Sequence, residues 1–301
     1  MTVKLSAIAL KPLTVLIAFL SLSFLSTVTL AVEKETQSYV VAPKLDSKIS
    51  ALYAKNGFKF RHSIADSNPL DFYVVYSCKI NKELEHLRII YVCDRPSEED
   101  IKSHVFLMPV PSPIDQLNLA QLILTNDLDV AVIYSKNSEI QYRYLKINKH
   151  DSVRLTAHKS YGSFKFNDQI KRMIKKNDVV LALVDDSIFN SSTLRALILN
   201  TYRDHKPVFG PNTNFVKSGS LASLYISQEA IAKRAIQLVA KFEADEYLPG
   251  VYFPCTPEVK TNPHVANAFS LTLNKPEDLS NQLAELAEQP LITNEIESNA
   301  R

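Results

Sequence analysis

Residues 179–224 read VVLALVDDSIFNSSTLRALILNTYRDHKPVFGPNTNFVKSGSLASL, and they divide into a strand, a helix and a second strand. The apolar run at residues 179–184 is too short for a helix and lacks the alternation of a half-exposed strand, so we expect both of its faces to be buried. Asn190 can cap the helix that follows, and residues 207–210 read as a short strand. A strand, a helix and a strand within roughly 30 residues form a βαβ unit, whose strands pair in parallel. The sequence therefore predicts an α/β fold with parallel sheets.

Polar residues follow the predicted strands, where ligands bind in open parallel sheets. Pockets for small molecules use a few oriented polar groups of this kind. The candidate ligand-binding residues are Ser77 and Cys78 in the first half of the chain and Ser135, Lys136, Ser160, Tyr161, Asp185, Ser187, Gly210 and Asn212 in the second. Tyr161 could stack on a flat ligand. Asp185 could pair with a ligand ammonium or accept hydrogen bonds from backbone amides at the start of the next helix, and both alternatives remain open.

Residues 1–31 have the pattern of a secretory signal peptide. Two lysines precede an apolar run over residues 13–25, and Thr29-Leu30-Ala31 places small residues at the cleavage-determining positions. The alternative is a single membrane anchor, but the apolar run is shorter than the roughly 20 residues that a spanning helix needs. We therefore expect export to the periplasm, with cleavage after about Ala31.

Composition argues against nucleic acid as a partner and against several classes of enzyme. Without Lys4 and Lys11, 32 basic residues stand against 32 acidic ones, so the clustered basic excess of a nucleic-acid-binding protein is missing. The 5 glycines cannot form a dinucleotide-binding fingerprint or a phosphate loop. No Gly-x-Ser-x-Gly motif occurs, and the 7 histidines lack metal-ligand spacing. We expect neither an enzyme nor a cofactor.

Three cysteines, Cys78, Cys93 and Cys255, are too few and too scattered for a metal site. Cys78 and Cys93 each follow a predicted strand, and these two strands should be parallel neighbours. A disulfide between them is therefore possible in an oxidising compartment. Two buried thiols fit the sequence equally well.

Strands and helices alternate on either side of three extended segments, near Met108, Lys217 and Pro254. Three crossings between two lobes are typical of a hinged binding protein, in which two Rossmann-like lobes with parallel sheets close on a ligand. The competing interpretation is one wide Rossmann-like sheet, but the mature chain exceeds the roughly 100–150 residues of a common single domain. We assign residues 38–111 and 218–247 to a first lobe, residues 112–217 and 248–279 to a second lobe, and residues 280–301 to an acidic, disordered tail.

A series of spaced motifs between residues 113 and 273 resembles a known family, the periplasmic substrate-binding components of ABC transporters in the uncharacterised family related to tryptophan and tyrosine binding proteins. The motifs are Leu183-Val184-Asp185 before Asn190, Pro207 to Gly210, Phe215-Val216 with Gly219, Leu221-Ala222-Ser223-Leu224, and Asn262 with Val265-Ala266. Residues 113–124 are similar to the family's re-entry helix.

The resemblance implies a type I periplasmic-binding fold joined by a three-segment hinge. It also implies capture of a small solute, in that family often an amino acid or a similar compound, for delivery to an ABC permease. Val184 replaces the family's proline, Asp186 is an added acid, and the first lobe is short by about one crossover unit. The short lobe motivates the alternative of a non-transporting sensory or protein-interaction module that partners the periplasmic domain of a sensor kinase.

Overall fold

The computed structural model describes residues 36–64, 68–124, 127–161, 165–244 and 248–287. The predicted signal peptide lies outside these residues. Within them, no helix combines the length and the apolar character that crossing a membrane requires.

The described residues form two separate sheets of six strands each, one in each lobe. In chain order the strands are β1 (Ser38–Val41), β2 (Lys59–Arg61), β3 (Phe72–Val75), β4 (Arg88–Val92), β5 (Val105–Leu107), β6 (Leu128–Tyr134), β7 (Val153–Lys159), β8 (Val179–Ala182), β9 (Val208–Gly210), β10 (Ala222–Tyr225), β11 (Gly250–Tyr252) and β12 (Glu258–Thr261). The first sheet has the order β11-β5-β4-β3-β1-β2 and is parallel throughout. The second has the order β12-β10-β9-β8-β6-β7, and within it β12 alone is antiparallel to its neighbour.

Helices cover both sheets. They are α1 (Ser47–Lys55), α2 (Pro113–Ile123), α3 (Glu139–Asn148), α4 (Asp168–Lys176), α5 (Ser191–Arg203), α6 (Thr213–Ser218), α7 (Gln228–Ala244), α8 (Pro263–Ala268) and α9 (Pro276–Ala287). Short 3₁₀ turns occupy Lys82–Leu84, Asp100–Lys102 and Lys136–Ser138. Helices α1 and α7 share one core with the first sheet, and α2 and α9 share another with the second.

The predicted βαβ unit is confirmed. All four residues of β8 are buried between two parallel neighbours, as a continuous apolar run requires. Asn190 caps α5, because its side chain accepts hydrogen bonds from the amides of Ser192 and Thr193.

The two-lobed fold class is confirmed as well, and the alternative of one wide sheet is wrong. The chain crosses between the lobes three times, at residues 108–112, 226–227 and 253–257. An apolar cluster around Met108, Val110 and Phe253 holds two of these crossings together, and the Met108 amide donates to the Tyr252 carbonyl at 2.9 Å. This is the architecture of the type I periplasmic-binding proteins.

The predicted lobe boundaries are wrong for two strands, β10 and β11. We expected residues 218–247 in the first lobe, but β10 pairs with β9 in the second sheet, and Ala222 and Leu224 enter the second core. The crossing therefore comes after β10 and not near Lys217. Conversely, β11 was expected in the second lobe and instead extends the first sheet beside β5.

The structure differs from the prediction in two further respects. Residues 280–287 are not disordered but belong to α9, which buries Leu279 and Leu283 in the second core, whereas residues 288–301 lie outside the described residues. The first sheet has as many strands as the second, so the predicted deficit of one crossover unit does not appear as a missing strand. Short 3₁₀ turns replace α-helices after β3 and β4.

Cys78 and Cys93 form a disulfide, with their Cα atoms 4.9 Å apart. They follow β3 and β4, which are parallel neighbours, so the carboxyl ends of the two strands bring the cysteines together. Of the two alternatives that the sequence left open, the structure adopts the disulfide.

We expect Gly210→Ala to destabilise the protein by about 3 kcal/mol, because an added Cβ would overlap the Phe215 side chain. Gly57→Ala is the control. No atom lies within 4 Å of an added Cβ there, so only the positive φ of 82° opposes the substitution, at about 1 kcal/mol. Urea unfolding of both variants measures the difference, and equal losses would contradict the proposed packing of Gly210.

Candidate functional site

An open depression of about 580 Å³ lies at the carboxyl ends of β6, β7 and β8 in the second lobe. The residues that line it are Ser135, Lys136, Asn137, Glu139, Lys159, Ser160, Tyr161 and Ser187. Parallel strands place the loops that follow them at one edge of the sheet. Five of the candidates chosen from strand ends therefore come together here: Ser135, Lys136, Ser160, Tyr161 and Ser187.

Asp185 lies behind this surface and is only 3% exposed. Its Oδ2 atom accepts hydrogen bonds from the hydroxyls of Ser135 and Ser138, both at 2.6 Å. Its Oδ1 atom accepts from the hydroxyl of Ser187 at 2.5 Å and from the Ser187 amide at 3.1 Å. Four donors thus occupy the roughly four acceptor positions of a carboxylate.

These bonds also determine the charge of Asp185. Burial acts to raise the pKa of Asp185, but the hydrogen bonds from the hydroxyls of Ser135, Ser138 and Ser187 outweigh burial and hold the pKa below its ordinary value. The side chain is therefore a carboxylate at neutral pH.

The carboxylate of Asp185 binds the chain itself, through three serine hydroxyls and the amide of Ser187, and not through the amides at the start of α5, which Asn190 caps. It has no acceptor position left for a ligand ammonium. Its hydrogen bonds instead join the loop after β6 to the loop after β8. Gln141 reinforces this junction, because its buried side chain donates to the carbonyl of Val184 and accepts from the amide of the same residue, both at 3.1 Å.

The mouth of the depression carries charge and an aromatic ring. Lys159 Nζ donates to Glu139 Oε1 at 2.7 Å, and this hydrogen bond raises the pKa of Lys159. Lys136 is exposed, and no ion pair to it occurs within the described part of the chain. Tyr161 is 81% exposed, and its ring centroid lies 5.8 Å from Lys159 Nζ. A ligand can therefore meet a cation and an aromatic face at the same opening.

The remaining candidates lie outside the depression. Asn212 caps α6 by accepting a hydrogen bond from the Asn214 amide, and Gly210 is buried beneath Phe215. Ser77 belongs to the first lobe, where its hydroxyl accepts from the Lys79 amide at 2.9 Å. The side chains of Ser77 and Asn212 accept hydrogen bonds from nearby backbone amides, and Gly210, the last residue of β9, makes room for Phe215.

Sequence reasoning missed four residues of the site. Asn137, Glu139 and Lys159 line the depression, and Ser138 holds Asp185 from behind. A usable signal existed for Ser138, because Ser135 and Ser138 have the spacing of a capping box and form one in the structure. No comparable signal identified Lys159, because its role follows from β7 extending to the edge of the depression.

The first lobe approaches the depression at its edge. Arg95, which follows β4, forms an ion pair of 3.4 Å with Asp186, the neighbour of Ser187. A second ion pair of 3.1 Å joins Glu98 of the first lobe to Arg143 of the second. All four side chains are about half exposed or more, so each pair contributes less than about 1 kcal/mol.

Within the described residues, Cys78, Cys93 and Asp94 are the one group of potential metal ligands that lies close together. The two sulfur atoms form the disulfide, so neither is a thiolate able to bind a metal.

No family model matches this chain, and no curated protein matches it. Solved structures are similar to it at low identity. A conserved domain protein from Vibrio cholerae O1 biovar El Tor is 18% identical, with a TM-score of 0.46 over 80% of this chain and 97% of that chain. An ABC domain from Streptococcus pneumoniae in complex with L-Trp is 13% identical, with a TM-score of 0.43 over 80% and 96%. The ligand-free, open structure of a substrate-binding protein with adhesive properties from Clostridium difficile is 14% identical, with a TM-score of 0.49 over 82% and 98%. At these values, no substrate or partner carries over to this chain.

We expect Ser138→Ala to lower the free energy of unfolding by about 2–3 kcal/mol, because it removes a hydrogen bond to a buried carboxylate. It also removes the acceptor of the Ser135 amide. Ser160→Ala is the matched control, since Ser160 lines the depression but makes no hydrogen bond to Asp185. Chemical denaturation at neutral pH measures both, and a loss no larger than that of the control would contradict the role of Ser138.

Asp185→Asn should destabilise the protein most at neutral pH. Because the folded pKa of Asp185 lies below its ordinary value, its ionised form stabilises the fold above about pH 4, and this contribution is lost as the pH falls through the folded pKa. The difference in unfolding free energy between wild type and variant should therefore shrink below about pH 4. A difference that is constant from pH 7 to pH 3 would contradict this electrostatic contribution.

Proposed function

We propose that this chain is an exported solute-binding protein, which holds a small molecule in the depression of the second lobe and encloses it by closure of the first. One observation carries the proposal: residues chosen only because they follow strands line one depression of about 580 Å³. This volume is within the roughly 300–1,000 Å³ of small-molecule pockets.

The lining suggests the chemistry of the solute. The exposed ammonium of Lys136 suits an anionic group, such as a carboxylate. The exposed ring of Tyr161 suits a flat or apolar portion of the same molecule. Hydroxyls of Ser160 and Ser187 offer polar contacts between these two groups. An amino acid or a similar small carboxylate has the required combination.

Closure of the lobes would complete the site. The three crossing segments allow one lobe to rotate against the other. The ion pairs of Arg95 with Asp186 and of Glu98 with Arg143 join the lobes at solvent-exposed positions. Because such pairs are weak, they can form and break as the lobes move, so binding of a solute can shift the balance between open and closed forms.

The proposed partner is an ABC permease in the inner membrane, to which the closed form would deliver its solute. This part of the proposal comes from the family resemblance of residues 183–273. A sensor kinase with a periplasmic domain is the alternative partner, and it would apply if the chain bound no small molecule.

Thermal unfolding of the mature protein with a panel of amino acids and small carboxylates tests the function. A true solute should raise the melting temperature in a concentration-dependent way. For that solute, Lys136→Gln should weaken binding about tenfold by removing the cation at the mouth, an effect of about 1.4 kcal/mol. Lys175→Gln, on the exposed face of α4, should leave affinity unchanged. No shift with any member of a broad panel would overturn solute capture and favour the interaction module.

A further inference from the structure

The positions of three hydroxyl protons follow from the hydrogen bonds of Asp185. A serine hydroxyl carries a single proton and can donate only once. Ser135, Ser138 and Ser187 each place Oγ within 2.6 Å of a carboxylate oxygen of Asp185. A carboxylate only accepts, and bonds to it are stronger than bonds between neutral groups. All three hydroxyls therefore donate inward, to Asp185.

This arrangement leaves two hydroxyl oxygens in the wall of the depression, those of Ser135 and Ser187, that can accept hydrogen bonds but not donate them. The Oγ atoms of Ser135 and Ser187 lie 3.2 Å apart, within hydrogen-bond distance of each other. Yet both of their protons point to Asp185, so no proton remains to bridge them. Ser138 differs, because its hydroxyl also accepts from the Ser135 amide and does not line the depression.

The remaining acceptor capacity of the two oxygens can be counted. Ser135 Oγ accepts one hydrogen bond, from the Asn137 amide at 3.1 Å, which leaves one of its two lone pairs. Because the Ser135 proton goes to Asp185, Ser187 Oγ accepts no hydrogen bond from the described residues. Both side chains line the depression. A donor from a bound molecule would thus supply the proton that the pair lacks.

We propose that Asp185 is a positioning residue, which turns Ser135 and Ser187 into obligatory hydrogen-bond acceptors and so selects solutes that present an N–H or O–H donor to them. The inference rests on the proposed function of the depression. A carbonyl or carboxylate oxygen placed here would face lone pairs and be rejected. An ammonium group fits best, because the negative charge of Asp185 lies directly behind the two hydroxyls.

Pairs of compounds that differ only in an ammonium group test whether the depression prefers a hydrogen-bond donor. L-phenylalanine and 3-phenylpropionate, L-leucine and 4-methylpentanoate, and L-glutamate and glutarate differ within each pair by the ammonium alone. Isothermal titration calorimetry of the mature protein measures both members of each pair. For any pair that binds, we expect the amino compound to bind at least tenfold more tightly. Equal affinities would overturn the inference while leaving solute capture intact.

Asp185→Asn tests the positioning role. The amide has nearly the same shape as the carboxylate, but its Nδ2 donates, so at least one of Ser135 and Ser187 must turn its hydroxyl proton away from this side chain and towards the depression. The preference for the amino compound should then fall at least tenfold. Asp151→Asn, a substitution of the same kind at an exposed residue, should leave the preference unchanged. An unaltered preference in Asp185→Asn would overturn the inference, because a merely structural role would change stability without changing selectivity.

A measurement without any solute separates the two proposals. Carbon-13 NMR of labelled aspartate should show Asp185 as a carboxylate at pH 7, with the hydroxyl protons of Ser135 and Ser187 in slow exchange. A protonated carboxyl at pH 7 would overturn the inference whatever the binding results. If no probe binds but this signature is found, solute capture fails and the polarity of the two hydroxyls stands.

Discussion

The candidate site depends on one buried carboxylate and the donors around it. Asp185 accepts four hydrogen bonds, and these bonds join the loop after β6 to the loop after β8. A buried charge without partners would cost several kcal/mol, whereas a fully satisfied one orders its surroundings. The positions of Ser135 and Ser187 in the wall of the depression depend on this single group.

The fold places Asp185 close to the contact between the two lobes. Asp186, next in the chain, reaches Arg95 of the first lobe, so the edge of the depression is also the contact between the lobes. The apolar cluster of Met108, Val110 and Phe253 holds two of the crossings together. The proposed closure would use these weak ion pairs at the edge of the depression and the three segments that cross between the lobes.

Much of this architecture is visible in the sequence, because it depends on local patterns. The uninterrupted apolar run of β8, the cap at Asn190 and the polar residues after strands predicted the sheet type and five of the eight residues that line the depression. Sheet membership of β10 and β11 was not predictable, since both are short and apolar and only tertiary pairing assigns them. The serine partners of Asp185 were not predictable for a related reason. Two of its three serine partners lie about 50 residues away, and periodicity does not reveal such contacts.

Amide hydrogen exchange of the solute-free protein measures whether the carboxylate of Asp185 orders the two loops that it joins. The amides of Asn137, Ser138 and Ser187 donate to Ser135 or Asp185 in loops that would otherwise be solvent-accessible. If the buried carboxylate holds the surface rigid before any solute arrives, these amides should exchange as slowly as those of the central strands, and the protection should disappear in Asp185→Asn. Exchange in the wild type at the rate of an unstructured loop would show that Asp185 does not order these loops.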